Sequence, residues 1–323
     1  MHSTLKRYMK SRADWVDAEL KKLLRPRGRA AIPFLGPMPE RIRRAMGYSL
    51  MAGGKRLRPV LVMAAAECCG TPGRRVLRTA CALEMIHTYS LIHDDLPAMD
   101  DDDLRRGKPT NHKVFGEAIA VLAGDGLLTL AFEAAAENAL KLGLRGRVSA
   151  ELIRVIAAGS GARGMVGGQV ADIDAAGILS RVRNGRAKPG NSRIKIAKAQ
   201  KILEYIHTHK TAALITASLE AGAILAGGSA KDRRALRDYG RSIGLAFQIA
   251  DDVLDRVGDK KKLGKRGSDL DNDKLTYPRL FGIEGSRRLA QRWIARAHKS
   301  LKRFGRRAKP LHELADYIIS RDR

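Results

Sequence analysis

The sequence predicts an all-α protein built from long, largely buried helices. Apolar residues recur at helical spacing in many stretches, as in VLRTACALEMIHTYSLIHDD over 76–95. Only 5% of the 323 residues are aromatic, whereas alanine and leucine are abundant, and this balance favours helices over strands. No stretch shows a convincing alternation of period two. Because no domain-sized linker interrupts the pattern, we expect one domain over residues 1–323.

The predicted helices are separated by recognisable breakers. Prolines and glycines make a loop of 26–39, and MAGGKRLRP at 51–59 interrupts a helical run that starts near Glu40. Pro97 has no amide hydrogen and ends the helix that precedes it, and a basic loop follows at 104–112. The predicted helices cover about 1–25, 40–50, 60–69, 76–95, 114–141, 147–160, 163–175, 201–226, 231–256 and 286–304.

The chain is extremely basic, with 61 Lys and Arg against 34 Asp and Glu and a formal net charge of +27. Such a balance usually indicates a polyanionic partner, and nucleic acid, an anionic membrane and phosphorylated small molecules all stay open. It is also compatible with a compositional trait of the host. A basic insertion at about 178–203 is expected to be an irregular, partly mobile surface segment. A second basic run covers 287–309.

The cysteines and the N-terminus indicate a soluble, cytoplasmic protein. Cys68, Cys69 and Cys81 form neither a disulfide framework nor a zinc-binding spacing, which fits a reducing compartment. The start MHSTLKRYMKSR is polar and unlike a signal peptide. No window approaches eighteen uninterrupted apolar residues, so we expect no membrane span.

Two clusters of aspartates follow apolar helices. In GLAFQIADDVLD, Asp251 and Asp255 are four residues apart and share one face of a helix, with Asp252 beside them. Carboxylates this close repel one another unless cations or water separate them, and oxygen-only ligands suit magnesium. Alone, this cluster is as compatible with a solvated acidic helix end. Asp94, Asp95 and Asp100 repeat the arrangement and are followed by Arg105 and Arg106, which suit a shared phosphate.

Further cations lie where a second phosphate could bind. In GGKRLRP at 53–59, two glycines let the backbone approach a ligand, and Lys55 and Arg58 supply charge. The stretch is not a P-loop, so ATP is not implied. His87 lies two helical turns before Asp94, although a lone histidine there is more often a core residue. Polar residues near other helix ends, each a weak signal by itself, are Lys210, Thr211, Gln248, Lys265 and Lys274.

Together these motifs resemble the trans-prenyltransferase (polyprenyl synthetase) family, with the bacterial farnesyl diphosphate synthases as the nearest likeness. The blocks occur in order along nearly the whole chain: GGKRLRP, SLIHDDLPAMDDDDLRRGKPTNH, GMVGGQVADI, HKTAALI, IGLAFQIADDVLD and GKRGSDLDNDKLTYP. The resemblance implies an isoprenoid-synthase-type bundle of long antiparallel helices around a central cavity. It also implies three Mg²⁺ ions, prenyl diphosphate substrates and a homodimer.

The resemblance implies roles for the matching residues. The expected magnesium ligands are Asp94, Asp95, Asp100, Asp251 and Asp255. The expected catalytic set is Asp94, Asp95, Asp100, Arg105, Lys210, Asp251, Asp252 and Lys265. Contacts to the allylic diphosphate are expected from Arg105, Lys210, Thr211, Gln248 and Lys265. Contacts to isopentenyl diphosphate are expected from Lys55, Arg58, His87 and Arg106, with Lys274 as a further phosphate contact.

Product length is expected to depend on Tyr89 and Ser90, which precede Asp94 by five and four residues and face down the implied tunnel. A bulky ring at Tyr89 favours a farnesyl (C15) product over a geranylgeranyl (C20) product, with plain core packing as the alternative. A class I terpene cyclase disagrees with the second aspartate cluster and with GGKRLRP. A nucleic-acid-binding protein should show interleaved aromatics or a recognition motif, and neither is found, so no nucleic acid is expected.

Overall fold

The computed structural model describes residues 3–25, 36–183, 192–257 and 275–320. The all-α prediction is confirmed. The helices are α1 (Ser3–Leu23), α2 (Glu40–Leu50), α3 (Leu57–Cys68), α4 (Leu77–Asp94), α5 (Asn111–Phe115), α6 (Glu117–Lys141), α7 (Gly146–Ser160), α8 (Met165–Arg183), α9 (Ser192–Ile206), α10 (Ala213–Leu225), α11 (Ala230–Val257), α12 (Tyr277–Ser300) and α13 (Lys309–Ser320). Short 3₁₀ segments cover Gly73–Val76 and Lys302–Ala308, and a π-helical turn covers His207–Ala212.

Helices α3 and α10 form the shared wall between two hydrophobic cores. On α3, Val62 and Met63 pack into a core with α1, α2, α4, α6 and α7, while Val60 and Leu61 pack into a second core with α11, α12 and α13. Helix α10 likewise contributes to both cores, and it approaches α3 closely at Gly222, where a Cβ would lie 2.1 Å from the carbonyl oxygen of Val62. Both helices therefore bury apolar residues on two sides, as the long apolar runs of the sequence predict.

Several predicted boundaries are wrong in the first half of the chain. The predicted helix 114–141 is divided at Gly116, whose φ of 86° lies in the left-handed region that glycine tolerates. The predicted loop 104–112 contains a short hairpin, in which β1 (Leu104–Arg105) pairs antiparallel with β2 (Lys108–Pro109). These are the only strands among the described residues, and two residues each are too few for a period to show.

The second half differs from the prediction in three places. The run 201–226 is two helices, α9 and α10, joined by the π-helical turn. Helix α12 begins at Tyr277, with a kink at Gly282, rather than at 286, and α13 was not predicted. The insertion at 178–203 is helical at both ends, because α8 continues to Arg183 and α9 starts at Ser192. Its predicted irregular middle falls largely on residues outside those described, as do Lys265 and Lys274.

One described helix, α6, is long and apolar enough to cross a membrane by length and composition. The sequence shows no uninterrupted apolar run here, because Asp125 and Glu133 interrupt it. The core helix of a soluble protein passes the same test, and 44% of the apolar window in α6 is buried inside the protein. Its inner face carries Ala123, Leu127 and Ala131, which pack into the first core against α4.

Candidate active site

The first aspartate cluster lies where α4 ends. Asp94 is the last residue of α4, Asp95 caps it, and the amide of Asp100 donates to the carbonyl oxygen of Asp94 at 2.9 Å, which folds the following turn back. Burial raises the pKa of Asp94 to about 6, against the opposing positive charge of Lys210. A cation that comes close to such a partly buried carboxyl group stabilises its ionised form.

Arg105, on the hairpin that follows, reaches back to this cluster. Its Nε donates to Oδ1 of Asp95 at 2.6 Å, and its Nη2 lies 2.5 Å from the same oxygen. Asp95 is 3% exposed, so the pair is well shielded from water on the carboxylate side. Asp102 lies 3.5 Å from Nη2 on the other side of the guanidinium. Arg105 therefore stays charged, because Asp95 and Asp102 raise its pKa and outweigh the opposing effect of burial.

The second aspartate cluster lies in the last two turns of α11. The backbone amide of Tyr277, at the start of α12, donates to Oδ2 of Asp252 at 2.9 Å. Gln248 Nε2 donates weakly to Asp251 at 3.4 Å, which places the glutamine beside the cluster as expected. Burial raises the pKa of Asp252 to about 7, and although the Tyr277 amide opposes this, the charges of Asp251 and Asp255 add to it.

Lys210 joins the two clusters through a residue that the sequence analysis missed. Its Nζ lies 2.6 Å from Oδ2 of Asp172, on α8, and both side chains are about one-third exposed. Lys210 lowers the pKa of Asp94, while Asp172 raises the pKa of Asp252, so the pair is within electrostatic reach of both clusters. An isolated acid inside the apolar stretch GMVGGQVADI was the available signal for Asp172.

Two glycines let neighbouring helices approach the segment that carries Lys210. A Cβ at Gly168 of α8 would lie 2.0 Å from the backbone nitrogen of Lys210, and a Cβ at Gly244 of α11 would lie 2.4 Å from the Cβ of Ala212. The segment itself is the π-helical turn, a form that is rare and often marks functional sites. Thr211 lies in the same turn and is 9% exposed.

Beside the first cluster, Arg106 lies close enough to Arg58 to affect its pKa, and we call the place that they share the cationic pocket. The Nε of Arg58 is buried and has no hydrogen-bond partner among the described residues. Burial lowers the pKa of Arg58 to about 10; Glu84 opposes that shift, and the positive charge of Arg106 adds to it. Arg106 donates to the carbonyl oxygen of Gly53, so the segment GGKRLRP at 53–59, which we call the glycine loop, meets the hairpin here. Both guanidinium groups remain charged at neutral pH and suit an anionic ligand.

His87 faces the same pocket and is held neutral. Burial, followed by the charges of Arg58 and Arg106, lowers the pKa of His87 well below its usual range. It can therefore donate one hydrogen bond but adds no charge to the pocket. Lys55, at the start of the glycine loop, is exposed, and its Nζ lies 5.7 Å from the ring centroid of Tyr317 on α13.

Arg56 anchors the glycine loop, a role that the sequence did not indicate. Its side chain is 2% exposed and lies 2.8 Å from Asp17 on one side and 2.8 Å from Glu84 on the other. Its Nη2 also donates to the carbonyl oxygen of Leu50 at 2.8 Å. Its φ of 48° is left-handed, which is unusual for a residue with a side chain. Lys55 directly precedes Arg56 and Arg58 follows two residues later, so these contacts fix the backbone from which both cations extend.

Tyr89 lies on α4, five residues before Asp94. Its ring is 6% exposed and meets the ring of His93 edge-on, with centroids 5.7 Å apart. Burial raises the pKa of Tyr89, and the charge of Asp94 adds to the shift. Ser90 instead turns back to its own helix, where its hydroxyl donates to the carbonyl oxygen of His87 at 2.9 Å. Of the two residues, Tyr89 is the one with bulk to limit the depth of a cavity.

The residues present fit magnesium. Across the described ranges, no three His, Cys, Asp or Glu side chains form a group that could hold a metal ion. Magnesium does not require such a cage, since it uses one or two carboxylates and completes its shell with water and substrate phosphate oxygens. Burial raises the pKa values of Asp94 and Asp252, so their ionised forms are disfavoured in the free protein. Added cations would stabilise their ionised forms.

Comparison with known proteins identifies the family of the chain. A polyprenyl synthetase family model matches residues 39–308. The farnesyl diphosphate synthase of Bacillus subtilis (strain 168) is 46% identical over 290 residues, covering 88% of this chain and 90% of that protein. The chloroplastic geranylgeranyl pyrophosphate synthase 7 of Arabidopsis thaliana is 47% identical over 286 residues, covering 88% and 77%. The apo crystal structure of a FPP/GFPP synthase from Zymomonas mobilis matches with a TM-score of 0.79 and 38% identity, over 98% and 100% of the two chains.

Proposed function

Because the chain belongs to the polyprenyl synthetase family, whose reaction is prenyl diphosphate chain elongation, we propose that its main product is farnesyl diphosphate. The substrates are isopentenyl diphosphate with dimethylallyl and then geranyl diphosphate. Farnesyl and geranylgeranyl synthases both occur among the relatives at similar identity, so their names do not decide the product length. The observation that carries this proposal is the buried ring of Tyr89 below the first aspartate cluster.

In this proposal the allylic diphosphate binds between the two aspartate clusters. The residues that hold magnesium are Asp94, Asp95, Asp100, Asp251 and Asp255. Bound magnesium, three ions in this proposal, supplies positive charge to the oxygens of the leaving group. As the carbon–oxygen bond breaks, Lys210 and Arg105 stabilise the charge that develops on the departing diphosphate. Thr211, Gln248 and Lys265 are further contacts to the same diphosphate.

Isopentenyl diphosphate binds in the cationic pocket. Arg58 and Arg106 hold its diphosphate with Lys55, and neutral His87 donates a hydrogen bond. The alkene attacks the allylic cation, a new carbon–carbon bond forms, and the proton that is lost goes to the departing diphosphate. The unpartnered buried Nε of Arg58 supports an anion at this place. Lys274 is proposed as a further phosphate contact.

Apolar packing around α4 keeps water away from the cation. Leu83, Ile86 and Ile92 lie on α4, the helix that leads away from the aspartates, and each is at most 1% exposed. Water in this region would quench an allylic cation before the alkene could attack. Tyr89 lies five residues before Asp94, about 7.5 Å further along the helix. A chain that grows in this direction meets the ring and stops.

Product analysis tests the proposal. Purified protein with Mg²⁺, isopentenyl diphosphate and each allylic starter should release pyrophosphate and accumulate a C15 diphosphate. Tyr89→Ala should shift the product to C20 or longer, whereas Tyr89→Phe, which keeps the ring, should still give C15. An unchanged C15 product from Tyr89→Ala contradicts the assignment of Tyr89 as the floor. A cyclised hydrocarbon in place of a longer diphosphate contradicts chain elongation itself.

We also propose that the protein is a homodimer and cytoplasmic. Helix α6 exposes Val121, Leu122 and Leu140 at 40%, 54% and 75%, and burial of these side chains against a second copy would remove apolar surface from water. Light scattering on the purified protein should give twice the mass of the chain. The mass of a single chain would contradict the dimer.

A further inference from the structure

A stripe of cations runs along α12, away from the site described above. Between Gly285 and His312 the chain has ten Lys and Arg residues and no acid. Four of them are exposed and follow one another at intervals of four, four and three residues, so they share one face of α12. We call this set the α12 stripe: Arg288, Arg292, Arg296 and Lys299. The opposite face is buried and carries Ala290, Ile294 and Ala297.

The charges of the α12 stripe have no opposite partner among the residues that the structure describes. Neighbouring cations do have partners: Arg287 lies 2.7 Å from Glu284, and Arg303 lies 2.7 Å from Asp232. By contrast, the members of the stripe make no ion pair with any residue that the structure describes, and Arg296 only lies over the ring of Trp293 at 4.8 Å. Like charges spaced four apart destabilise a helix. A binding partner of opposite charge would remove this repulsion.

We propose that the α12 stripe docks the protein on an anionic lipid bilayer. The stripe is straight and about 17 Å long, and Lys302 and Arg306 extend the exposed charge beyond it. An anionic lipid surface attracts such a row of cations without requiring any particular geometry of its headgroups. Single-stranded nucleic acid would need aromatic rings to stack on, and Trp293, beside the stripe, is half-buried beneath Arg296.

The stripe also has a direct connection to the proposed active site. Helix α12 begins at Tyr277, whose amide holds Asp252, and continues past the kink at Gly282 into the stripe. If the proposed function holds, the product carries a long prenyl tail, which lipid takes up more readily with every added methylene group. Docking through α12 would then release that product next to the phase in which it dissolves. The docking itself does not depend on the proposed function.

Vesicle binding tests this proposal with the full chain and without prenyl substrates. The protein should sediment with vesicles of phosphatidylcholine containing phosphatidylglycerol, should not sediment with phosphatidylcholine alone, and should be released by high salt. The triple variant Arg288→Gln, Arg292→Gln, Arg296→Gln should bind roughly a hundredfold more weakly. The matched control removes three exposed cations of α1: Lys6→Gln, Arg7→Gln and Lys10→Gln.

The outcomes separate specific docking from general attraction by a basic protein. Loss of binding in the α12 variant, with the α1 variant within a few fold of the original chain, supports the stripe. Equal losses in both variants overturn it, because net charge alone would then explain binding. Absence of binding to anionic vesicles also overturns it. The proposal is overturned as well if the α12 variant, unlike the α1 variant, loses affinity for DNA but still binds the vesicles. Circular dichroism checks that both variants are folded.

Discussion

Replacing Arg56 should show how much of the glycine loop depends on one buried ion pair. Arg56 makes three contacts at 2.8 Å, to Asp17, Glu84 and the carbonyl oxygen of Leu50. Burial alone would lower its pKa, but Glu84 and Asp17 outweigh that effect and raise it, so the guanidinium is charged. In Arg56→Met the side chain keeps its apolar stem and loses all three contacts.

The two carboxylates should respond very differently. Asp17 is 42% exposed and can be solvated by water, so loss of its pair should cost about 0–1 kcal/mol. Glu84 is 3% exposed and would lose the guanidinium with which it pairs at 2.8 Å, and removing one partner of a buried ion pair costs about 3–5 kcal/mol. The second effect dominates. At about 2 °C per kcal/mol for a chain of this size, Arg56→Met should lower the melting temperature by about 6–10 °C.

Arg56→Met should also weaken substrate binding at only one of the two proposed substrate sites. Lys55 and Arg58 flank Arg56 and should lose their orientation, so the KM for isopentenyl diphosphate should rise about tenfold, an effect of about 1.4 kcal/mol. The KM for the allylic substrate should stay within about twofold, because Lys210 and Arg105 lie on other elements. Steady-state kinetics with each substrate varied in turn measure this difference.

A second replacement tests the physical reason. If the destabilisation comes from the unpaired charge of Glu84, the double variant Arg56→Met with Glu84→Met should regain part of the lost melting temperature. A double variant no more stable than Arg56→Met alone would refute the argument. So would an Arg56→Met protein whose melting temperature falls by less than about 2 °C.

Three further predictions concern Asp172 and Asp252. Asp172→Asn removes the partner of Lys210 at 2.6 Å and should lower kcat/KM for the allylic substrate about 10–100-fold, whereas Asp174→Asn, at an exposed position of the same helix, should leave it unchanged. At pH 6.5, Asp252 is largely protonated in the free protein, since its pKa is about 7, and a bound cation favours the ionised form. Binding of Mg²⁺ and pyrophosphate should therefore release protons, as calorimetry in two buffers can measure, and Asp252→Asn should release fewer. The same raised pKa makes Asp252 contribute stability at low pH that is lost as the pH rises from about 4 to 7, so the melting temperature of the metal-free Asp252→Asn variant should depend less on pH over this range.

The all-α fold and most helix positions followed from the sequence because apolar periodicity records which face is buried. The period does not show where the backbone departs from the α-helical pattern. The run 201–226 has helical periodicity throughout, yet it contains the π-helical turn at His207–Ala212. Gly116 and Gly282 divide or bend helices because they adopt positive φ, and the composition around them gave no warning. Boundaries were therefore less predictable than the helices themselves.

For the site, sequence motifs indicated the residues that would meet a ligand but not those that hold them. Arg105 and Lys210 stood out because they are charged and lie next to aspartates or a helix end. Asp172 and Glu84 are acids within largely apolar helices, where spacing along one helix does not reveal a partner on another. Arg56 was assigned no role of its own within a basic motif, and only its contacts with Asp17 and Glu84 separate it from Lys55 and Arg58.

The π-helical turn makes the chain around Lys210 sensitive to length as well as to sequence. Such a turn holds one residue more than an α-helical turn, so it offsets the helix before it from the helix after it by about 100°. Deleting one residue from His207–Ala212 would restore regular backbone hydrogen bonding. It would also rotate Leu203 on α9 away from Ile249 and Tyr277, against which it packs. The protein thus retains a locally irregular helix, because a more regular one would point Lys210 in another direction.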